Sequence, residues 1–100
     1  MEITITQDGN KVTIALDGKL SVATSPDLEA AISGLPASTN EFDIDLTNLE
    51  YISSAGLRVL VSTEKTAGQR SGKMRLLYPN DEVLEVFEMT GLSDVFTIVQ

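Results

Sequence analysis

Two adjacent hydroxyls, Ser53 and Ser54, are the side chains of this 100-residue protein best placed for chemistry. They follow an alternating apolar segment and precede Leu57, Leu60 and Val61, whose i, i+3, i+4 spacing is typical of an amphipathic helix. One of the two serines therefore falls at or near a helix N-cap, where unpaired backbone N–H groups and the helix dipole favour negative charge. A serine there either caps the helix or accepts a phosphate, and local physics leaves both interpretations open.

Composition excludes most catalytic chemistry. The chain has no Cys and no His, so it lacks a thiolate nucleophile, a disulfide and an imidazole for acid–base or metal work. Its net charge of −8 argues against nucleic acid and anionic membranes as partners. It contains neither a signal-peptide pattern nor the run of about 20 apolar residues that spans a bilayer. We therefore expect a single cytoplasmic domain without metal or cofactor.

The apolar periodicity predicts strands that alternate with helices after an initial hairpin. The hairpin runs from Ile3 to Leu16, turns at residues 8–10 and ends at Gly18. Ser25 is predicted to cap the first helix. The predicted helices are at about 25–34, 54–69 and 80–90, and the later strands at about 42–46, 74–78 and 95–99. This order predicts one α/β domain, with a four- to five-stranded mixed sheet and helices packed mainly on one side.

Basic residues are unevenly distributed along the chain. Five of the seven fall within one segment: Arg58, Lys65, Arg70, Lys73 and Arg75. One interpretation is a solvated helix face and the strand after it. The other is an electrostatic rim for a protein partner.

Two further patterns are weaker. Asp43 and Asp45 lie two apart on a predicted strand and so point the same way, as a metal or acid–base pair would. Without a third ligand or a base they are more simply polar positions on the less buried face of the strand, or caps of nearby backbone. The glycines of segment 68–73 resemble a phosphate-binding loop with the spacing one residue short, and Met74 replaces the required hydroxyl. Neither pattern predicts a site.

The segment LEYISSAGLRVLV, following FDIDLTN, resembles the signature of the STAS domain of bacterial anti-sigma factor antagonists. The similarity extends to LDGKLSVATSPDLEAAI near the start and EVFEMTGLSDVFTI near the end. In that family the serine at the helix start is phosphorylated by a partner kinase. The resemblance thus implies Ser54 as the phosphorylated residue, with Ser53 as a rival acceptor.

The function implied by the resemblance is partner switching by a protein that is not itself an enzyme. The unphosphorylated form would bind an anti-sigma factor, a serine kinase of the GHKL ATPase type, and so release a sigma factor. A metal-dependent serine/threonine phosphatase would restore that form, and ATP would belong to the kinase. The alternatives are an unphosphorylated STAS scaffold or subunit of a membrane transport or signalling complex, and a small-ligand module using the cleft beside the helix start.

The resemblance also implies a partner interface around the acceptor, formed by Ser21, Ser53, Ser54, Ala55, Gly56 and Arg58. Many family members carry Asp where Ser21 and Ser53 stand, so a kinase would be oriented differently here. Gly56 is either a packing glycine or a residue that keeps the surface open, in which case a larger side chain would leave the domain folded. Arg58 is either a solvated helix charge or the partner of a phosphate one turn away.

Overall fold

One five-stranded sheet carries three helices. The structure is a computed structural model that describes every residue, Met1–Gln100. The strands are β1 (Glu2–Asp8), β2 (Lys11–Leu20), β3 (Glu41–Ile52), β4 (Lys73–Leu77) and β5 (Thr97–Val99). The helices are α1 (Ser25–Ser33), α2 (Ser54–Gln69) and α3 (Asp81–Met89), with a 3-10 helix at Leu92–Asp94. None of them is both long and apolar enough to cross a membrane.

The sheet has the mixed topology that the sequence predicts. Strand order follows chain order; β1 is antiparallel to β2, and β2, β3, β4 and β5 are mutually parallel. The buried residues of neighbouring strands lie side by side, as Val12, Phe42 and Met74 do. Each helix adds fully buried side chains to the same core: Leu28, Leu60 and Phe87. The predicted α/β fold is confirmed.

The prediction for β3 was wrong at its carboxyl end, because the strand continues from Leu46 to Ile52. Its buried apolar residues are spaced by two up to Leu46 and by three afterwards, at Leu49 and Ile52. At both wider steps the pairing with β2 shifts, so β3 has one extra residue at each. The two bulges thus interrupt the alternation of apolar and polar residues by which a strand is recognised in a sequence.

Smaller differences occur at other strand ends. Gly18 does not end β2; it takes a φ of 113°, which favours glycine, and the strand continues to Leu20. β5 begins at Thr97 rather than at Val95, because the 3-10 helix occupies the preceding residues. The predicted helix bounds are confirmed to within one residue.

The helix-free face of the sheet carries an ion-pair cluster around one buried carboxylate. Asp43, only 5% exposed, accepts hydrogen bonds from Nε and a terminal nitrogen of Arg75 at 2.9 and 2.7 Å. Lys11 Nζ lies 3.1 Å from Asp43 Oδ2. The hydrogen bonds from Arg75 hold the pKa of Asp43 below its usual range, although burial opposes the shift. The cluster ties β2, β3 and β4 together.

Asp45 does not pair with Asp43 in this cluster. Its Oδ1 accepts hydrogen bonds from the backbone N–H and the hydroxyl of Thr47 at 3.0 and 2.6 Å. These contacts lie at the first bulge of β3, so Asp45 serves a local backbone role. No group of three or more carboxylates is arranged so that it could hold a metal ion.

We expect Asp43→Asn to lower the free energy of unfolding at pH 7, because the amide loses both charge and one acceptor for Arg75. The pKa of Asp43 is lowered in the folded state, so its stabilisation is complete above the unfolded-state pKa of about 4 and is lost as pH falls below it. Urea unfolding between pH 3 and pH 7 should therefore show a shallower pH dependence for the variant. Asp17→Asn, an exposed position without an ion pair, is the control. Parallel curves for wild type and Asp43→Asn would contradict the account.

Candidate functional site

The carboxyl ends of β2 and β3 lie side by side and lead directly into α1 and α2. Leu20 is paired with Ile52, and the Leu20 carbonyl accepts a hydrogen bond from the N–H of Ser53 at 2.8 Å. Ligand sites in open α/β sheets lie outside this edge, where the strands end and the helices begin. The pairing brings Ser21, the residue after Leu20, next to the start of α2.

The two candidate serines have different environments. Ser53 is 7% exposed and is the N-cap of α2, and its Oγ accepts a hydrogen bond from the N–H of Gly56 at 3.2 Å. Ser54 is the first residue of the helix; its side chain is exposed and makes no hydrogen bond within the chain. The prediction of a helix start at this pair is confirmed, with the capping role on Ser53.

The first turn of α2 is electrostatically receptive to an anion. It contains no acidic residue, and Ser53 satisfies only one of the N–H groups that a helix start leaves unpaired. No carboxylate of the same turn therefore offsets the partial positive charge of the helix N-terminus, which would stabilise a negative charge at Ser54.

A network of hydroxyls orders the turn between β2 and α1. Ser21 donates its N–H to Thr24 Oγ1 at 2.8 Å, and Ser21 O accepts from the hydroxyl of Ser25 at 2.5 Å. Thr24 Oγ1 in turn donates to the carbonyl of Lys19 at 2.7 Å. Thr24, not Ser25 as predicted, is the N-cap of α1, and Ser25 is its first residue. Ser21 thus belongs to a neutral, ordered turn.

Gly56 is a packing glycine, and the expectation that it leaves an open surface for a larger side chain was wrong. A Cβ at this position would lie 2.7 Å from Leu20 Cγ and 3.0 Å from Ile52 Cγ1. Both of those side chains are buried in the core and have little room to move. Only a residue without a side chain lets the first turn of α2 lie directly on the ends of β2 and β3. Leu20, absent from the predicted site residues, is the contact that sets this position.

The five clustered bases divide between two faces of the molecule. Arg58, Lys65 and Arg70 line a groove between α1 and α2, whereas Lys73 and Arg75 lie on β4 and pair with carboxylates of β3. Arg58 is exposed and makes no ion pair. It lies one turn beyond Ser54 on α2, and Ala55 lines the same groove. The helix start and this groove are therefore continuous.

We expect Gly56→Ala to lower the free energy of unfolding by about 1–2 kcal/mol, because overpacking against Leu20 outweighs the better helix propensity of alanine. Gly68→Ala in the same helix is the matched control. A Cβ at Gly68 meets no atom within 4 Å, so that variant should gain up to about 1 kcal/mol. Urea unfolding measures both. Equal effects of the two substitutions would show that the contact with Leu20 is not restrictive.

Comparison with known proteins identifies the family. The family model described as "Mlab, STAS domain" matches residues 3–100. The anti-sigma-B factor antagonist of Staphylococcus aureus is 31% identical over 96 residues, which cover 95% of this chain and 88% of that protein. The chain belongs to the STAS-domain family of anti-sigma factor antagonists, as the resemblance predicted. Members of this family are regulators rather than enzymes, and the family name implies an anti-sigma factor as partner.

Solved structures show the same fold. An anti-sigma factor antagonist from Mycobacterium paratuberculosis superposes with a TM-score of 0.85 at 23% identity, covering 98% of this chain and 84% of that chain. SpoIIAA, a Bacillus cell fate determinant solved in its phosphorylated form, superposes with a TM-score of 0.78 at 19% identity, covering 99% and 92%. These similarities establish the STAS fold of this chain.

Proposed function

We propose that this protein is an anti-sigma factor antagonist that switches partners through phosphorylation of Ser54. The observation that carries the proposal is the contrast at the start of α2, where Ser53 is buried as the cap and the Ser54 hydroxyl is exposed and unbonded. A kinase reaches an exposed hydroxyl more readily than one that is buried and accepts a backbone hydrogen bond. The phosphorylated form of SpoIIAA, which shares this fold, is consistent with the proposal.

The partner in this proposal is an anti-sigma factor that is a serine kinase of the GHKL ATPase type. The unphosphorylated antagonist binds it around Ser21, Ser53, Ser54, Ala55 and Arg58, with Gly56 buried beneath them, and a sigma factor is released. The kinase then transfers the γ-phosphoryl group of its own ATP to Ser54 Oγ, and ADP and a proton leave. A metal-dependent serine/threonine phosphatase hydrolyses the phosphoserine. The antagonist supplies no catalytic group, and the cycle operates in the cytoplasm.

Phosphorylation would change affinity without unfolding the domain. The phosphate adds about −1.5 to −2 charges, which the N-terminus of α2 and Arg58 one turn away stabilise in the free protein. The same charge buried in an interface without a partner costs several kcal/mol, which corresponds to at least about a hundredfold loss of affinity. The fold is therefore kept while the complex dissociates.

The kinase is first recovered from the native cells by pull-down with this protein and identified by mass spectrometry. When the wild-type protein is then incubated with that kinase and ATP, we expect it to gain a single phosphate. Ser54→Ala should abolish phosphorylation while still binding the kinase. Ser53→Ala should only slow it, because loss of the cap costs about 1 kcal/mol of helix stability but leaves the acceptor. Intact-mass and fragment spectra measure all three.

Two outcomes would contradict the assignment. Phosphate persisting on Ser54→Ala would move the acceptor to another residue, with Ser53 the first to test. No phosphate on the wild type with its own kinase would favour the unphosphorylated scaffold or transport subunit instead. Circular dichroism of each variant serves as the folding control.

A further inference from the structure

The groove between α1 and α2 is a concavity lined by both apolar and polar side chains. Its volume is about 680 Å³, and Ile32 and Leu35, in and just beyond α1, face Val61 of α2 across it. All three side chains are partly exposed although they pack against the core. The lining residues of α2 extend from Ala55 to Arg70, which is about 22 Å at 1.5 Å per residue.

Positive charge is concentrated along this groove. Three of the seven bases of the chain line it, whereas Glu29 is its one acidic residue, in a protein of net charge −8. Arg58 and Lys65 lie seven residues apart and so share one face of α2. Neither forms an ion pair, and Arg70 is bound only through a hydrogen bond to the carbonyl of Thr39. The groove therefore has unneutralised cations beside its apolar side chains.

We propose that the α1–α2 groove binds an acidic amphipathic helix of a partner protein. The groove is about four helical turns long, and the apolar side chains at the end formed by residues 55–61 suit the apolar face of a helix laid along it. The cations along the groove match acidic residues that flank such a face. If the anti-sigma factor supplies this helix, that part of the proposal rests on the proposed function. The preference of the groove for an acidic helix is independent of the proposed function.

The groove also connects to the modification site. Arg58 lies between them, one turn from Ser54 and on the wall of the groove. A phosphate on Ser54 draws Arg58 towards itself and repels carboxylates at the near end of the groove. Phosphorylation thereby weakens binding of the acidic helix as well as contacts at the serine itself.

The test uses two synthetic helical peptides of about 18 residues and the 100-residue protein labelled with ¹⁵N. One peptide carries Leu along one face and Glu on both flanks, and the other has every Glu replaced by Lys. The acidic peptide should shift the amide signals of Ile32, Val61 and Ser62, and the basic peptide should not. Lys65→Glu should weaken binding at least tenfold. Lys73→Glu makes the same charge change outside the groove and should weaken it less than twofold.

Several results would overturn the proposal: no binding of the acidic peptide at millimolar concentration, equal binding of both peptides, or equal effects of Lys65→Glu and Lys73→Glu. Self-association of the free protein through the groove, seen by sedimentation, would assign it to a second copy. None of these measurements involves a kinase or a phosphate. Their failure would therefore leave the switch at Ser54 standing, and failure of the switch would leave the groove intact.

Discussion

The close approach of Gly56 to Leu20 and Ile52 is the constraint on which the rest of the site depends. Because no side chain intervenes, the first turn of α2 lies directly on the carboxyl ends of β2 and β3. That contact fixes the rotation of the helix, so that Ser53 turns towards the core as its cap and Ser54 turns towards solvent. The hydroxyl that we propose as the phosphate acceptor is thus presented by packing rather than by a flexible loop.

The two faces of the sheet have different roles: one packs the apolar core and the other carries the ion pairs. The helix-covered face holds the apolar core, and the opposite face holds a carboxylate, Asp43, that is stabilised by Arg75 and Lys11. The pairing on that face neutralises Lys11 of β2 and both bases of β4, Lys73 and Arg75, within the fold. Arg58, one turn from the start of α2, and Lys65, farther along the groove, form no ion pair, so their charge remains available to an acidic partner.

Much of the fold follows from local patterns in the sequence, because hydrophobic period, caps and turn residues agree along most of the chain. The bulged half of β3 cannot be predicted from such patterns, because its buried residues recur every three positions rather than every two. The helix start at Ser53 and Ser54 is predictable from composition and spacing. The role of Gly56 is not, because it depends on Leu20, a residue 36 positions away that only the parallel pairing of β2 and β3 brings into contact. The division of the five bases between two faces is likewise a property of the tertiary structure.

The central claim is that charge added at Ser54 controls binding to an anti-sigma factor while the fold persists. Its most direct test is a calorimetric titration of that partner with phosphorylated and unphosphorylated protein from one preparation. We predict that the phosphorylated form binds at least about a hundredfold more weakly, a difference of about 2.7 kcal/mol or more, with an unchanged circular dichroism spectrum. Equal affinities of the two forms would contradict the account.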